Sequence, residues 1–416
     1  MVVGLMHRFP RFCTLLALLC LALGQARAVT LKEARQLYAT GEYAKAIKAS
    51  EAAIAANEYD SGWRLLLLRA RLTTGEYPEA RQFATELLKD YRYRSNAEAL
   101  WLFHLAYEAN GDAAQAGQML QVIIQFLNGQ RGISDENTLI FIGRALLKAA
   151  ATDPKQVKEN LFDRVLQSSP DNREALLVTG ELALAKRDFK LAGQTFTRAI
   201  GHYPDDADLL YGLAKAYAES DPSQMEEPLH TAMFTNPDHV PSLLLQAHNQ
   251  ADAEQYDTAN GILKAIFKIN PNHAASWALQ AALHTVRNEP DKAKSARASG
   301  LKYWKTNPLV DHEIGKKLSS KYLFAEGAAH QRQALEFSKD YLQAKTQLAQ
   351  DLLRLGQEEE GWRLAEEAHK ADGYDVTTYN LLTLHDSLKK YTTIDRNGFL
   401  LRMTRDEAAL YGDEAI

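Results

Sequence analysis

The feature that most constrains this sequence is a proline that recurs at nearly constant spacing through its middle. Successive intervals are 34, 33, 34 and 37 residues, and the prolines are Pro170, Pro204, Pro237, Pro271 and Pro308. A fixed period of this size indicates a structural repeat, in which each unit packs on its neighbours. A division of the 416 residues into two or three ordinary domains is therefore not expected.

The stretch from Arg173 to Asp205 shows what one unit contains. Apolar and small residues recur there at the spacing of two antiparallel helices, and they are Leu176, Gly180, Phe189, Ala192, Phe196, Ala199 and Pro204. Gly180 and Ala192 are small where the two helices would cross closely, and Pro204 would end the second helix. The pattern predicts a helix-turn-helix pair.

This unit resembles the tetratricopeptide repeat (TPR) family, whose helical pair recurs about every 34 residues. Further copies are marked by Gly41-Glu42-Tyr43, Gly75-Glu76-Tyr77, Gly111-Asp112, Tyr256, Trp277 and Leu348. We count about ten units between Leu31 and Gly373. The resemblance implies an all-α, TPR-type α-solenoid superhelix, with a long concave surface lined by the first helices. Such surfaces in this family commonly hold extended peptides or partner proteins.

The N-terminal stretch, residues 1–28, has the pattern of a secretory signal peptide. Arg8 and Arg11 form a positive start, Thr14 to Leu23 an apolar core, and Ala26-Arg27-Ala28 a cleavage site of the A-x-A type. The alternative, an uncleaved membrane anchor, needs about 18 to 20 apolar residues, which is longer than this core. We expect export to a bacterial periplasm or cell envelope, with a soluble mature chain and no stable membrane insertion after cleavage.

Charge and cysteine content exclude several classes of function. The chain has 48 basic and 53 acidic residues, a net charge of −5, and no long run of one sign, so no nucleic acid is expected as a partner. Cys13 and Cys20 both lie in the signal peptide, which leaves the mature chain without a disulfide or thiolate site. Removal of the signal leaves 45 basic and 53 acidic residues, a charge of −8.

The sequence contains no recognisable catalytic or cofactor motif. Its histidines never recur at the spacing of a zinc-binding helix. The nearest approach, His312 to Lys316, has an ammonium where the second ligand would stand. Phosphate-binding loops, dinucleotide fingerprints and serine-nucleophile elbows are absent from the sequence as well. We therefore expect a chain that is not an enzyme, with no catalytic residue, metal site or cofactor.

Candidate partner-binding residues are those that the repeat geometry directs towards the concave groove. They are Leu65, Arg69, Trp101, Leu105, Leu177, Glu181 and His248. Tryptophan and arginine are residue types that often anchor protein interfaces. Each position also fits a packing role, because apolar stripes at helical spacing usually form a core. The expected partner is a protein or an extended peptide held by successive first helices, so that the chain acts as a scaffold or adaptor.

The repeat pattern stops near Leu388. Two β-prone runs, Tyr391 to Ile394 and Phe399 to Met403, flank Asn397-Gly398, which is a strong signal for a hairpin turn. Thr404 is the expected N-cap of a short helix. The predicted organisation is a signal peptide in residues 1–28, a TPR array in 29–388 with an inserted loop near 126–137, and a hairpin plus short helix in 389–416.

The C-terminal part has a second, narrower resemblance, to exported bacterial TPR proteins that continue into a peptidase MA-like (zincin) domain. It rests on Phe324 to Gly327, Leu348 to Gly356, Gly361-Trp362, Asp372 to Tyr374 and Tyr379-Asn380. No His-Glu-x-x-His motif is present, so the resemblance implies no metal or catalytic residue here.

The alternative function that follows is a recruiting or scaffolding arm of an envelope metallopeptidase. Its catalytic zincin-like domain would be missing or would lie on another chain, which makes a peptidase-like chain the partner. Residues 389–416 would then be the start of such a domain. A third alternative, a scaffold for cell-wall polysaccharide or for assembly, would need a groove lined by aromatic residues, of which Trp101 is one.

We expect the amides of residues 391–416 to exchange with solvent faster than those of the central repeats, because a lone hairpin is marginally stable in water. Native-state hydrogen exchange measures this difference directly. Equal protection in the two regions would contradict the prediction.

Overall fold

The structure is a computed structural model that describes residues 29–129 and 135–415. The expected signal peptide lies outside the described residues. Within them the chain forms a long array of antiparallel helical pairs, followed by a two-stranded sheet and a short helix. No helix in this described part is long and apolar enough to cross a bilayer.

Ten helical pairs follow one another through the described ranges, and we number them in chain order. Pair one is α1 Leu31–Ala39 with α2 Tyr43–Ala55, and pair two is α3 Gly62–Thr74 with α4 Tyr77–Leu87. The one-turn helix α5 Tyr91–Arg94 comes next, and pair three is α6 Ala97–Ala109 with α7 Ala113–Gly129. Pair four joins α8 Glu136–Lys148 to a broken helix composed of α9 Pro154–Val157, a π-helical turn Lys158–Phe162 and α10 Asp163–Ser168. Pair five is α11 Arg173–Ala185 with α12 Phe189–His202.

The second half of the array continues in the same way. Pair six is α13 Ala207–Ser220 with α14 Glu226–Thr235, and a short 3₁₀ turn Pro222–Gln224 precedes α14. Pair seven is α15 Val240–Asp252 with α16 Tyr256–Ile269, and pair eight is α17 Ala274–Val286 with α18 Pro290–Gly300. Pairs nine and ten are α19 Pro308–Ser320 with α20 Phe324–Phe337, and α21 Leu342–Arg354 with α22 Glu358–Ala371. The single helix α23 Val376–Leu388 follows. The all-α repeat architecture of about ten units is therefore confirmed.

The loop expected near 126–137 overlaps helix at both ends. Helix α7 continues to Gly129, and α8 begins at Glu136 with Asp135 as its N-cap. The Asp135 carboxylate accepts a hydrogen bond from the backbone N–H of Thr138 at 2.8 Å. Residues 130–134, the rest of that stretch, lie outside the described residues.

A single aromatic ring shows how neighbouring pairs pack. Phe196 on α12 is fully buried, and its ring lies against Gly180 on α11 and Gly212 on α13. A Cβ on Gly180 would lie 2.4 Å from the ring, and one on Gly212 would lie 2.3 Å from it. The close crossing expected at Gly180 is confirmed, and the ring joins three consecutive helices across a pair boundary.

The array coils so that turns in its early pairs contact junctions in its late pairs. The Asn270 Nδ2 group donates hydrogen bonds to the Thr73 carbonyl and the Tyr77 hydroxyl, both at 3.1 Å. The side chain of Asn272 donates to the Gly75 carbonyl at 3.0 Å. These partners are 193 to 197 residues apart, so one superhelical turn contains about six pairs.

The same contact recurs along the coil. Asn236 donates to the Tyr43 hydroxyl at 3.1 Å, 193 residues away. The Lys186 ammonium pairs with Asp372 at 2.5 Å. We call all of these contacts between successive superhelical turns the inter-turn contacts. The set also includes the packing of Gly41 on Asn236, of Gly75 on Asn270 and of Gly111 on Trp304. Its last member is the hydrogen bond from the Tyr374 hydroxyl to Asp153.

The tail has the hairpin that the sequence indicates. Strands β1 Thr392–Arg396 and β2 Phe399–Met403 pair antiparallel, and the turn residues Asn397 and Gly398 have φ values of 57° and 79°. A two-residue turn with positive φ at both positions matches the twist of the strands. Helix α24 Arg405–Tyr411 follows, with Thr404 and Glu407 in a capping box.

Replacement of Gly180 by alanine should destabilise the fold by about 1 to 3 kcal/mol, because the new methyl group meets the Phe196 ring. Gly193 lies on the same helix as Phe196 and gives the control, because a Cβ there would have no neighbour within 4 Å in the part of the chain that the structure describes. Gly193→Ala should leave stability unchanged or raise it by up to about 1 kcal/mol, since alanine favours helix. Chemical denaturation measures both changes, and equal effects would contradict the packing argument.

Candidate functional site

The first helices of the pairs form the inner surface of the superhelix, and their polar side chains contact one another from pair to pair. Arg69 on α3 pairs with Glu98 on α6 at 2.9 Å. Lys148 on α8 pairs with Glu108 on α6 at 2.8 Å. Charged groups of consecutive first helices thus face a common space. We use the name inner surface for these side chains of the first helices.

Arg144 contacts side chains of both neighbouring first helices on the inner surface. Its guanidinium lies 3.0 Å from Glu181 and 3.8 Å from Glu174, both on the following first helix α11. It also lies over the ring of Trp101 on α6, with 5.8 Å between the guanidinium carbon and the ring centroid. Its Nε is buried and has no hydrogen-bond partner among the described residues. Arg144 therefore links three successive first helices.

A second ionic cluster lies one pair further on. Arg173 at the start of α11 contacts Asp206 at 2.8 Å and Asp208 at 2.6 Å. The other oxygen of Asp208 lies 3.1 Å from Nε2 of His239, and Nδ1 of His239 lies 2.7 Å from the Ser242 hydroxyl. The cluster connects α11, α13 and the start of α15. Arg173 also pairs with Glu174, and an arginine with three carboxylate partners is held in a fixed orientation.

The pKa values of Glu181 and Asp208, the two carboxylates of this region, shift in opposite directions. Burial raises the pKa of Glu181, and the nearby Arg144 only partly offsets it. For Asp208 burial acts in the same direction, but the hydrogen bond to His239 and the charge of Arg173 prevail and lower its pKa. The side chain of Glu181 is 48% exposed, so its carboxylate meets water while protein surrounds it. The inner surface is an accessible but poorly solvated environment.

The later part of the inner surface is richer in basic groups. Burial lowers the pKa of His248 on α15 to about 4, and Lys317 acts in the same direction. Lys317 itself pairs with Asp252 at 2.7 Å. Glu313 on α19 has a lowered pKa, because Lys316 and the neighbouring histidines oppose the effect of burial. The sign of the local charge therefore changes along the inner surface.

Groups from distant pairs face each other inside the superhelix. Burial raises the pKa of Tyr38 in pair one, and the charges that act on it belong to Arg69, Asp208 and Arg173. Burial likewise raises the pKa of Tyr341, next to α21, under the added influence of Glu313 in pair nine and of Glu108 in pair three. These pairs are far apart in sequence, so the inner surface encloses a space rather than forming an open trough.

The seven residues proposed from the sequence divide into three groups. Arg69, Trp101 and Glu181 lie on the inner surface in the ionic and aromatic contacts described above. His248 lies on the later, more basic part. Leu65, Leu177 and Leu105 pack against hydrophobic clusters, the first two with 8% exposure. The structure assigns packing contacts to these three leucines, because that side of the helix faces its neighbours.

Several inner-surface residues were missed by the sequence reasoning. They are Glu98, Arg144, Arg173, Asp208, Lys215, Glu313 and Lys316. A signal for some of them exists, because Glu181, Lys215 and His248 recur at the period of the repeat, and Lys316 continues the same register two units later. Arg144 is harder to find, since the stretch 126–137 disturbs the register before it. No group of three or more His, Cys, Asp or Glu residues suited to a metal ion occurs among the described residues.

The fold and the inner surface define a class: a helical-repeat protein with an enclosed, polar inner surface. The family model described as tetratricopeptide repeat matches residues 31–97 and 159–207. These two matched stretches carry tetratricopeptide repeats. Repeats of this family form protein-interaction scaffolds, and protein partners follow from that.

Two solved structures are similar at low sequence identity. The human IFIT1 dimer with m7Gppp-AAAA has 16% identity and a TM-score of 0.46, over 80% of this chain and 81% of that one. The crystal structure of yeast Tom70 has 16% identity and a TM-score of 0.41, over 87% of this chain and 89% of that one. No curated protein matches the sequence significantly.

Acid should destabilise the protein partly through His248. Its imidazole has a pKa of about 4 when folded and about 6.5 when unfolded, so the unfolded chain binds more protons between these values. This group's contribution to stability is therefore present above about pH 6.5 and is lost as the pH falls to about 4. The full loss is about 2 to 3 kcal/mol.

His248→Gln should show a smaller loss of unfolding free energy between neutral pH and pH 4 or so than the unmodified chain. Urea denaturation at both pH values measures it. His202→Gln, at an exposed position, is the control and should keep the original pH dependence. Identical pH dependence in His248→Gln and the unmodified chain would contradict the prediction.

Proposed function

We propose that this chain is an exported, non-catalytic scaffold that binds an extended segment of a partner protein along its inner surface. The observation that carries the proposal is the group formed by Trp101, Arg144 and Glu181, where an aromatic ring, a guanidinium and a poorly solvated carboxylate meet on three successive first helices. Tryptophan and arginine at the centre of a surface are typical interface anchors.

Poor solvation of the inner surface supports binding there. Charged groups that are already partly desolvated lose less hydration when a partner covers them. Their ion pairs also hold them in fixed orientations, which reduces the ordering that binding requires. The inner surface carries side chains of both signs, so it suits a partner segment that carries both hydrogen-bonding and charged groups.

Export is the second part of the proposal and rests on the N-terminal stretch 1–28. Its positive start, apolar core and small-residue cleavage site are typical of a secretory signal peptide. Expression of the full chain followed by mass spectrometry of its N-terminus in a periplasmic fraction tests this. A mature N-terminus at Val29 is expected, and an intact Met1 in the cytoplasmic fraction would overturn it.

Partner capture tests the binding surface. The full chain should retain a specific partner from an envelope extract, and Trp101→Leu and Glu181→Lys should each weaken that partner's affinity about thirtyfold, the effect of losing an interface anchor of roughly 2 kcal/mol. Affinity is measured by titration of the purified partner once mass spectrometry has identified it.

Two outer-surface variants serve as matched controls for these substitutions. Glu86→Lys, on the exposed face of α4, makes the same charge change as Glu181→Lys. Phe234→Leu replaces an aromatic ring that is 81% exposed. Both controls should bind the partner as the unmodified chain does. Equal loss in inner and outer variants would contradict the proposed surface.

A second candidate is that the C-terminal segment docks a partner chain, such as the peptidase-like chain of the alternative function. Large apolar side chains are exposed there, including Phe399 at 67% and Leu410 at 71%. Contiguous exposed apolar surface is typical of interaction sites. Loss of a partner in the double variant Phe399→Ser, Leu410→Ser, with capture by the Trp101→Leu variant unchanged, would favour this candidate.

A further inference from the structure

Three of the turns that make the inter-turn contacts have glycine at the residue with positive φ, whereas the contacting turns of pairs four and five have Ala150 and Arg187 there. The residue with positive φ between the two helices is glycine in pairs one to three, at Gly41, Gly75 and Gly111. In later pairs the same positive φ is adopted by residues with side chains, namely Arg187, Glu254, Asn288 and Tyr322. Backbone conformation alone therefore does not require glycine at this position.

Close approach of the next superhelical turn accounts for the three glycines. A Cβ on Gly75 would lie 2.1 Å from Oδ1 of Asn270, one on Gly41 would lie 2.5 Å from Oδ1 of Asn236, and one on Gly111 would lie 2.9 Å from the Trp304 ring. Gly356 in pair ten has a similar φ of 74°, but a Cβ there would meet no atom of the described residues within 4 Å. The first three glycines thus mark where successive turns meet.

The inter-turn contacts are made of different interactions from the packing inside a turn. Consecutive pairs share buried apolar clusters, whereas the inter-turn contacts consist mainly of hydrogen bonds, an ion pair and the edge-on contact of Tyr77 with Tyr303 at 5.9 Å. A hydrogen bond contributes about 1 kcal/mol net, since water can replace it. The boundary between turns is therefore the part of the array that separates most readily.

We propose that the inter-turn contacts close the superhelix and control access to the inner surface, so that a partner segment enters when they separate. The contacts begin at pair one and continue to Lys186 in pair five, along the overlap of the two turns. This inference rests on the proposed function for what enters, but closure itself is independent of any partner. Binding and opening are coupled, because a ligand that occupies the open form shifts the population towards it.

Labelling of a single introduced cysteine tests closure without a partner. The full chain with Cys13→Ser and Cys20→Ser provides a cysteine-free background. Lys215→Cys places a thiol at an exposed position of the first helix α13, where the Lys215 charge acts on Glu313, and Lys190→Cys places one on the exposed side of α12. Reaction rates are measured with N-ethylmaleimide and with a maleimide carried on a long poly(ethylene glycol) chain.

The expected result is that both thiols react readily with N-ethylmaleimide, while the bulky reagent reacts at least about tenfold more slowly at the inner position. Gly75→Ala and Asn270→Ala should each raise the rate of the bulky reagent at Lys215→Cys. Gly356→Ala is the matched control, because it imposes the same backbone strain without touching another turn. It should leave the rate unchanged.

Two results would overturn the inference. One is equal reaction of the bulky reagent at the inner and outer thiols of the closed chain. The other is a rate in both Gly75→Ala and Asn270→Ala no higher than in Gly356→Ala, with circular dichroism confirming that all variants are folded. Failure of the proposed function would give a different result. The variants Trp101→Leu and Glu181→Lys would then bind the partner as the unmodified chain does, whatever rates the labelling experiment gives.

Discussion

The structure depends on one constraint: each helical pair has an apolar face that only the next pair can cover. The ring of Phe196 illustrates it, because it fills the space left by Gly180 in its own pair and by Gly212 in the next. Such packing couples neighbours and little else, so the fold grows as a linear stack. A small rotation from pair to pair then coils the stack, and the coil determines which distant pairs come into contact.

Coiling gives the first helices a role that they lack as isolated pairs. Their polar side chains meet across pair boundaries, and Arg144 contacts groups from both neighbouring first helices. Because the next turn covers the space, these groups are accessible to water yet poorly solvated, which raises the pKa of Glu181 and lowers that of His248. Such a surface is better explained by binding of a partner than by a contribution to folding stability, since uncompensated desolvation of charges opposes folding. The proposed scaffold function follows from that combination.

Prediction from the sequence succeeded where the determinants were local or repeated. The helical pair, the crossing at Gly180, the Asn397-Gly398 hairpin turn and the Thr404 N-cap were all predictable from neighbouring residues. The site was only partly predictable. Leu65 and Leu177 share the helical period of groove residues, but both are buried in the apolar clusters between helices. Arg144 was missed because the sequence of residues 126–137 departs from the repeat pattern and disturbs the register before it.

The sequence by itself determined the repeat class, the approximate number of units and the type of the tail, because these depend on periodicity and on turn chemistry within about 40 residues. Tertiary structure alone decided that the superhelix closes, since the partners of Gly75 and Tyr43 lie 193 to 197 residues away and no local pattern encodes that distance. It also decided which charges meet on the inner surface. Both outcomes depend on a rotation accumulated over about six pairs, to which every interface contributes a small part.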